Sequence, residues 1–276
     1  MEIKDLKYTY KNTKNEVLKN ITCSIKSGEI TCIIGKNGSG KTTLLELISN
    51  LRTPTEGTIT YDNFTISKTS EIINKDFWFE VSYNTNNLEN FLDATIKDNF
   101  TLRLKQYNYN NLKIKERILN SLKMLGLDES YLDRNILELS SGEKIRVEIA
   151  YSLLLNPKII ILDNPTITLD EEGIKTLIKI LKTLKRRYNK TIIIGTNDIE
   201  FVHKIADEIF VLNKGQIVLK GDKYEIFKQE DKLKKYGIIP PKTILFSNKV
   251  LKEKNIKIGY RDEINDLIKD IYRYVK

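Results

Sequence analysis

The sequence predicts an α/β fold built on a mainly parallel sheet, and three observations carry that reading. A nearly continuous apolar run, Ile30-Thr31-Cys32-Ile33-Ile34, enters a glycine-rich loop and then a helical pattern; strands covered on both faces read this way. Strand and helix patterns alternate again between residues 142 and 195, as they do where helices cross over a parallel sheet. The 276 residues, 40% hydrophobic and 30% charged, are enough to bury a core in one large or two smaller domains.

Along the chain, Ile3 to Tyr8 and Leu18 to Ile25 alternate as strands do, with Lys26-Ser27-Gly28-Glu29 as a turn. The run at Ile30 follows, and a helix is expected from Thr42 to Ser49. Residues from about Asp93 to Leu137 are polar and mostly helical in pattern, with a loop where Asn and Tyr cluster at Gln106 to Asn111. The α/β alternation then supplies a helix over Gly142–Leu155, a strand over Ile159–Leu162, a helix over Glu171–Arg187 and a strand over Thr191–Gly195. Lys214-Gly215 turns a hairpin between Ile209–Leu212 and Gln216–Leu219. Beyond Gly221 the pattern is helical and broken at Pro240-Pro241, so the expected division is 1–221 and a small helical domain over 222–276.

Composition narrows the function. The longest apolar stretches are strand-sized and far below the roughly 20 residues of a spanning helix, so any membrane contact is expected to be peripheral. The N-terminus lacks the pattern of a secretion signal, which predicts a cytosolic chain. Cys23 and Cys32 have only His203 to join them, so neither a zinc site nor a disulfide framework is encoded, and both are expected in the core on neighbouring strands. A net charge of +9 permits an anionic partner, but the excess is spread out, and no basic stripe with interleaved aromatics points to nucleic acid.

The chemistry lies in Gly35-Lys36-Asn37-Gly38-Ser39-Gly40-Lys41-Thr42, which satisfies GxxxxGK(S/T) between a buried strand and a helix start. Such glycines let backbone N–H groups converge on phosphate oxygens at the positive end of a helix. Lys41 reaches the terminal phosphates and the Thr42 hydroxyl ligates Mg²⁺. A second metal ligand is required at the end of another buried strand, and Asp163 ends Ile159-Ile160-Ile161-Leu162.

Between these motifs, Leu139-Ser140-Ser141-Gly142-Glu143 resembles the LSGGQ signature of ATP-binding cassette (ABC) ATPases, and Pro165-Thr166-Ile167-Thr168-Leu169-Asp170 resembles their PTSGLD stretch. The tail, from Gly221-Asp222 through Ile226-Phe227, Leu233 to Gly237 and Pro240, is similar to the C-terminal extension of energy-coupling factor (ECF) transporter ATPase subunits. The resemblance implies an ABC-type P-loop nucleotide-binding domain with an antiparallel β subdomain, a helical subdomain at about 93–139 and a small C-terminal helical domain. It implies ATP and Mg²⁺ as ligands, with Tyr10 stacking on adenine, Thr43 beside the loop, and Ser140, Ser141, Gly142 and Glu143 facing a partner's nucleotide. It also implies a second ABC ATPase chain, a transmembrane coupling subunit and a substrate-binding membrane subunit as partners, at the cytoplasmic face of the membrane, with a vitamin or metal ion as cargo. Asp93, Asp98 and Glu89 are candidates to meet the membrane subunit.

Three positions depart from the family's pattern. The glutamate that polarises the attacking water is Asn164, the switch histidine is Asn197, and the glutamine that senses the γ-phosphate best matches Asn86. A carboxamide accepts no proton, so the site is expected to hold Mg-ATP and hydrolyse it slowly. His203, six positions past Asn197, is expected to pack rather than to replace the missing base. A soluble ABC-fold module acting on the ribosome or on nucleic acid, and an ABC exporter subunit, are the alternatives; the first lacks a second cassette and the second gives no reason for the tail.

Overall fold

The computed structural model describes residues 1–11, 13, 15–70, 75–85, 91–256, 258–262 and 264–275. Its centre is a sheet of six strands: β3 (Ile30–Ile34), β6 (Val81–Asn84), β7 (Ile159–Asp163), β8 (Thr191–Thr196), β9 (Glu208–Asn213) and β10 (Gln216–Asp222), in the order β10-β9-β3-β8-β7-β6. All neighbours run parallel except the β9–β10 hairpin. A second, antiparallel sheet contains β1 (Glu2–Thr9), β2 (Glu16–Ser24), β4 (Glu56–Thr60) and β5 (Thr65–Ile66), in the order β2-β1-β4-β5.

The apolar runs sort by period two between two cores. Ile30, Cys32, Ile34, Ile160, Leu162, Ile192 and Ile194 face the larger core, shared with the helices α4 (Ser141–Leu153), α5 (Glu171–Tyr188) and α6 (Ile199–Ile205). The alternate residues Ile33, Ile159, Ile161 and Ile193 face the antiparallel sheet and α1 (Lys41–Ile48). Both cysteines are buried and free, as expected, but the strands that carry them lie in different sheets: Cys32 serves the first core and Cys23 the second. Adjacency in sequence does not survive the turn at Gly28, which passes the chain from one sheet to the other.

The helical insertion consists of α2 (Ile96–Lys105) and α3 (Asn111–Met124), with the expected loop between them. Thr95 caps α2 by accepting from the Asp98 N–H, and Asn110 caps α3 by accepting from the Lys113 N–H. Past β10 come α7 (Lys223–Phe227), α8 (Glu230–Lys235), α9 (Lys242–Lys254) and α10 (Ile264–Val275), with the break at Pro240-Pro241 where the sequence places it. This segment is fastened to α6: the N–H of Lys242 donates to Glu200 Oε1 (3.0 Å), and Lys223 Nζ donates to the His203 carbonyl (3.0 Å) and to both oxygens of Asp262. His203 is buried here, its Nε2–H on the Arg261 carbonyl at 3.0 Å and its ring edge-on to Phe227. Burial lowers its pKa, because the ring would carry its charge without water. It packs, and serves no phosphate. Among the described residues no helix is long and apolar enough to cross a membrane.

Candidate nucleotide-binding site

Three parallel strands end side by side. The register pairs Ile34 with Thr196 and Asp163 with Gly195, so the loop after β3, the residues after β7 and those after β8 converge at one sheet edge. Ligands of open α/β sheets bind at the carboxyl ends of the strands, and here that edge carries the glycine-rich loop. Gly40, at φ +105, leads into α1, and a Cβ there would strike Leu18. Gly35 approaches the Leu212 carbonyl too closely for any side chain. The loop is also tied to the hairpin by the Gly215 N–H, which donates to the Ser39 carbonyl (3.0 Å).

Lys41, 6% exposed, donates through Nζ to the carbonyls of Gly35 (2.7 Å) and Lys36 (3.2 Å). Burial holds its pKa below the ordinary lysine value, while the Asp163 carboxylate pulls in the other direction. The Thr42 hydroxyl donates to Asp163 Oδ2 at 2.6 Å. Asp163 is itself buried, and desolvation raises its pKa. A hydroxyl and a carboxylate in contact are hard oxygen donors of the kind Mg²⁺ takes alongside phosphate. Among the described residues the buried Ser39 hydroxyl has no hydrogen-bond partner, and the Lys41 ammonium hydrogen-bonds to two neutral carbonyls with the Asp163 carboxylate nearby. The donor set therefore fits a magnesium-bound polyphosphate, with Thr42 and Asp163 the residues that could hold the metal.

Two of the three departures, Asn164 and Asn197, follow β7 and β8. Asn164 follows β7 with φ +50; its N–H donates to the Gly195 carbonyl (2.7 Å) and its Nδ2 to Asp163 Oδ1 (2.9 Å). Asn197, after β8, donates through Nδ2 to Asn37 Oδ1 in the loop. One residue escaped the sequence reading. Tyr83, on β6, is hydrogen-bonded to Asp163 through its hydroxyl, and burial raises its pKa well above the usual phenol value. Nothing local marks it, because only the β6–β7 pairing brings the two together.

Tyr10 donates to or accepts from the Thr43 hydroxyl (2.9 Å), and the Arg52 guanidinium lies 5.0 Å from its ring centre. An adenine stacking on Tyr10 would take the opposite face or displace Arg52, which is held by Glu46 at 2.5 Å.

The signature opens α4 as a capping box. Ser140 accepts from the Glu143 N–H (3.3 Å), while Glu143 Oε2 accepts from the Ser140 N–H (2.9 Å) and hydroxyl (2.8 Å). Tyr131 and Arg134 each donate to Glu143 Oε1 at 2.8 Å. The Ser140 bonds first, then Tyr131 and Arg134, hold the carboxyl at about 2, far below its usual 4.5. Ser141 lies in the exposed first turn, and Gly142 meets nothing within 4 Å of where its Cβ would be. A depressed folded-state pKa stabilises the fold above the unfolded value, and that contribution fades as pH falls from about 4.5 toward 2. Glu143→Ala is thus expected to cost about 1–2 kcal/mol in urea unfolding at neutral pH, and much less near pH 3. An equal loss at both pH values would mean that packing, not charge, is what Glu143 supplies.

Asn86 and Glu89 lie outside the described residues. Just before them, the buried Glu148 of α4 accepts from the Thr85 N–H at 3.1 Å. Asp93 accepts from Asn135 (2.7 Å), and Asp98 accepts from the Thr95 hydroxyl (2.6 Å), so both carboxylates have partners within the insertion.

A phosphate loop and a strand-end aspartate on a parallel sheet, with an antiparallel sheet docked beside it and a capped signature helix, define an ATP-binding cassette. The ABC transporter family model matches residues 18–167. Over 247 residues the chain is 35% identical to the energy-coupling factor transporter ATP-binding protein EcfA2 of Clostridium perfringens, covering 88% of this chain and 85% of that one. It is 33% identical over 244 residues to a putative ABC transporter ATP-binding protein of Pyrococcus furiosus, covering 88% and 91%. Among solved structures, cbiO1 from Clostridium perfringens, described as part of the ABC transporter complex cbiONQ, matches with a TM-score of 0.76 at 30% identity, over 92% of this chain and 98% of that one. A dimeric post-hydrolysis cassette bound to ADP and Pi matches with a TM-score of 0.69 at 30% identity, over 80% and 97%. The chain belongs to the ABC transporter ATP-binding family and, within it, to the ECF transporter ATP-binding proteins.

Proposed function

We propose that this chain is the ATP-binding subunit of an ECF-type import complex, coupling ATP binding and hydrolysis to uptake of a vitamin or metal ion, and that its own site hydrolyses slowly. One observation carries the reading: where the family's water-polarising base stands, Asn164 presents a carboxamide whose Nδ2 donates to the metal-side Asp163. A missing general base costs about 10²- to 10⁴-fold, which takes an ordinary turnover near 10 s⁻¹ to about 10⁻¹ to 10⁻³ s⁻¹. Binding is a separate matter, because Lys41, Thr42, Asp163 and the loop amides remain.

Two copies of this chain would pair two slow sites, which favours a heterodimer with a second, more active ATPase chain. Ser140, Ser141, Gly142 and Glu143 would then face the partner's nucleotide, while Tyr10, residues 35–43 and Asp163 hold ATP and Mg²⁺ here. A transmembrane coupling subunit and a substrate-binding membrane subunit complete the complex at the cytoplasmic face of the membrane. Residues 1–221 act as the cassette, with 222–276 as its extension.

The test is to load the purified chain with labelled Mg-ATP, remove free nucleotide and follow conversion to ADP. Bound ATP that persists for an hour is expected, together with hydrolysis by the mixed pair that disappears when the partner's catalytic glutamate is removed. Full turnover within seconds by this chain alone overturns the slow-site reading.

A further inference from the structure

Arg52 is fastened against Tyr10. α1 ends in a Schellman motif: the Asn50 N–H donates to the Leu47 carbonyl (3.1 Å) and the Leu51 N–H to the Glu46 carbonyl (2.9 Å), with Asn50 at φ +54. The turn brings Arg52 back to the helix it has just left, where its Nε donates to Glu46 Oε2 at 2.5 Å and its Nη1 to the Tyr8 hydroxyl at 3.4 Å. So held, the guanidinium lies 5.0 Å from the centre of the Tyr10 ring. The buried Tyr8, two positions earlier, meets that ring nearly at right angles, with centres 5.1 Å apart.

These contacts do what the Tyr10 hydroxyl cannot. Its hydrogen bond with the Thr43 hydroxyl (2.9 Å) fixes where the ring ends, next to Thr42, but that bond lies on the axis about which the ring turns and leaves its plane free. A group anchored against the face sets the plane. Stacking needs a set plane, because a base meets the whole face of the ring. Displacing Arg52 would strip the half-buried Glu46 of its charged donor, whereas the opposite face of Tyr10 asks for no such exchange.

We propose that Arg52 is a positioning residue for the nucleotide base: held by Glu46 and Tyr8, it backs one face of Tyr10 and presents the other for stacking. A ring already set in its plane loses less freedom when the base arrives, which tightens affinity without a contact between Arg52 and the nucleotide. The phosphates gain nothing from it. Two ligands therefore separate the role: Mg-ATP, which carries the base, and magnesium tripolyphosphate, which carries a phosphate chain of the same length without one. The role depends on Tyr10 taking the base and on the loop holding phosphate, as proposed for this chain, and each of these has its own readout.

The experiment is a calorimetric titration of both ligands into the full-length chain and into Arg52→Ala, Tyr10→Ala and the double variant, with melting of each protein without ligand. Arg52→Ala is expected to weaken Mg-ATP about threefold to tenfold, the scale of fixing one side chain, and to leave tripolyphosphate within about twofold of wild type. In the Tyr10→Ala background Arg52→Ala is expected to add nothing, since the ring it backs is gone. Equal losses for the two ligands, an Mg-ATP affinity unchanged or tightened by Arg52→Ala, or the same penalty with and without Tyr10 overturns the inference. Tightening would make Arg52 a cover that the base has to displace. Should Arg52→Ala fail to fold, Arg52→Met, which keeps the bulk of the side chain and loses its charge and donors, decides by the same comparisons. Tyr10→Ala that binds Mg-ATP as wild type does removes the stacking residue, and wild-type chain that takes up neither ligand removes the phosphate site; either result removes the role of Arg52 with it.

Discussion

Asn164→Glu is expected to raise ATP turnover by about 10²-fold, the lower end of what a general base contributes. The backbone is ready for it. Asn164 stands at φ +50, held by its N–H on the Gly195 carbonyl at 2.7 Å, and a glutamate forced into that region loses about 1 kcal/mol, small against the gain. Its carboxylate would stand beside Asp163, whose burial already raises its pKa, so full ionisation of both depends on the positive charge of Mg²⁺ and Lys41. The gain stays at the lower end because Asn197 still occupies the switch position. Phosphate release at saturating Mg-ATP measures it. Turnover equal to wild type would show that Asn164 is not what limits the chemistry.

Lys41→Ala is expected to abolish Mg-ATP binding at working concentrations, a loss of about 10²- to 10³-fold, the worth of two charge-assisted hydrogen bonds to phosphate. The fold should survive. Burial lowers the pKa of Lys41, so keeping the ammonium charged in place costs the nucleotide-free protein free energy; its removal leaves two carbonyls without a donor and takes a nearby positive charge from Asp163, which keeps its hydrogen bond from the Thr42 hydroxyl. The variant is expected to melt no lower than wild type without nucleotide and to show no rise in melting temperature with Mg-ATP, where the wild type is raised by mass action. A variant still stabilised by Mg-ATP as wild type is would move the phosphates away from Lys41. One that melts well below it would make Lys41 a structural residue.

Much of this was legible in the chain because it is local. The runs at Ile30, Ile159 and Thr191 are apolar on both parities, which only a strand covered on both faces requires, and all three became central strands. The break at Pro240-Pro241 depends on neighbouring residues and is where the sequence places it; the capping box at Ser140 and Glu143 is equally local, although the sequence reading began that helix at Gly142 without it. β4, β5 and β6 were not legible: Glu56–Thr60 and Val81–Asn84 are short, mix polar with apolar residues, and owe their strand form to the partners they add to.

The sequence by itself determined the alternation of strands and helices, the phosphate loop, the strand-end aspartate and the asparagines that follow two of the strands, since each is a residue type at a fixed spacing from a recognisable strand or helix. Only the tertiary structure decided that Tyr83 reaches Asp163, that Arg52 covers Tyr10, and that Cys23 and Cys32 serve different sheets. Those contacts join residues far apart in the chain, and their partners are selected by how sheets and helices pack, which no local period records.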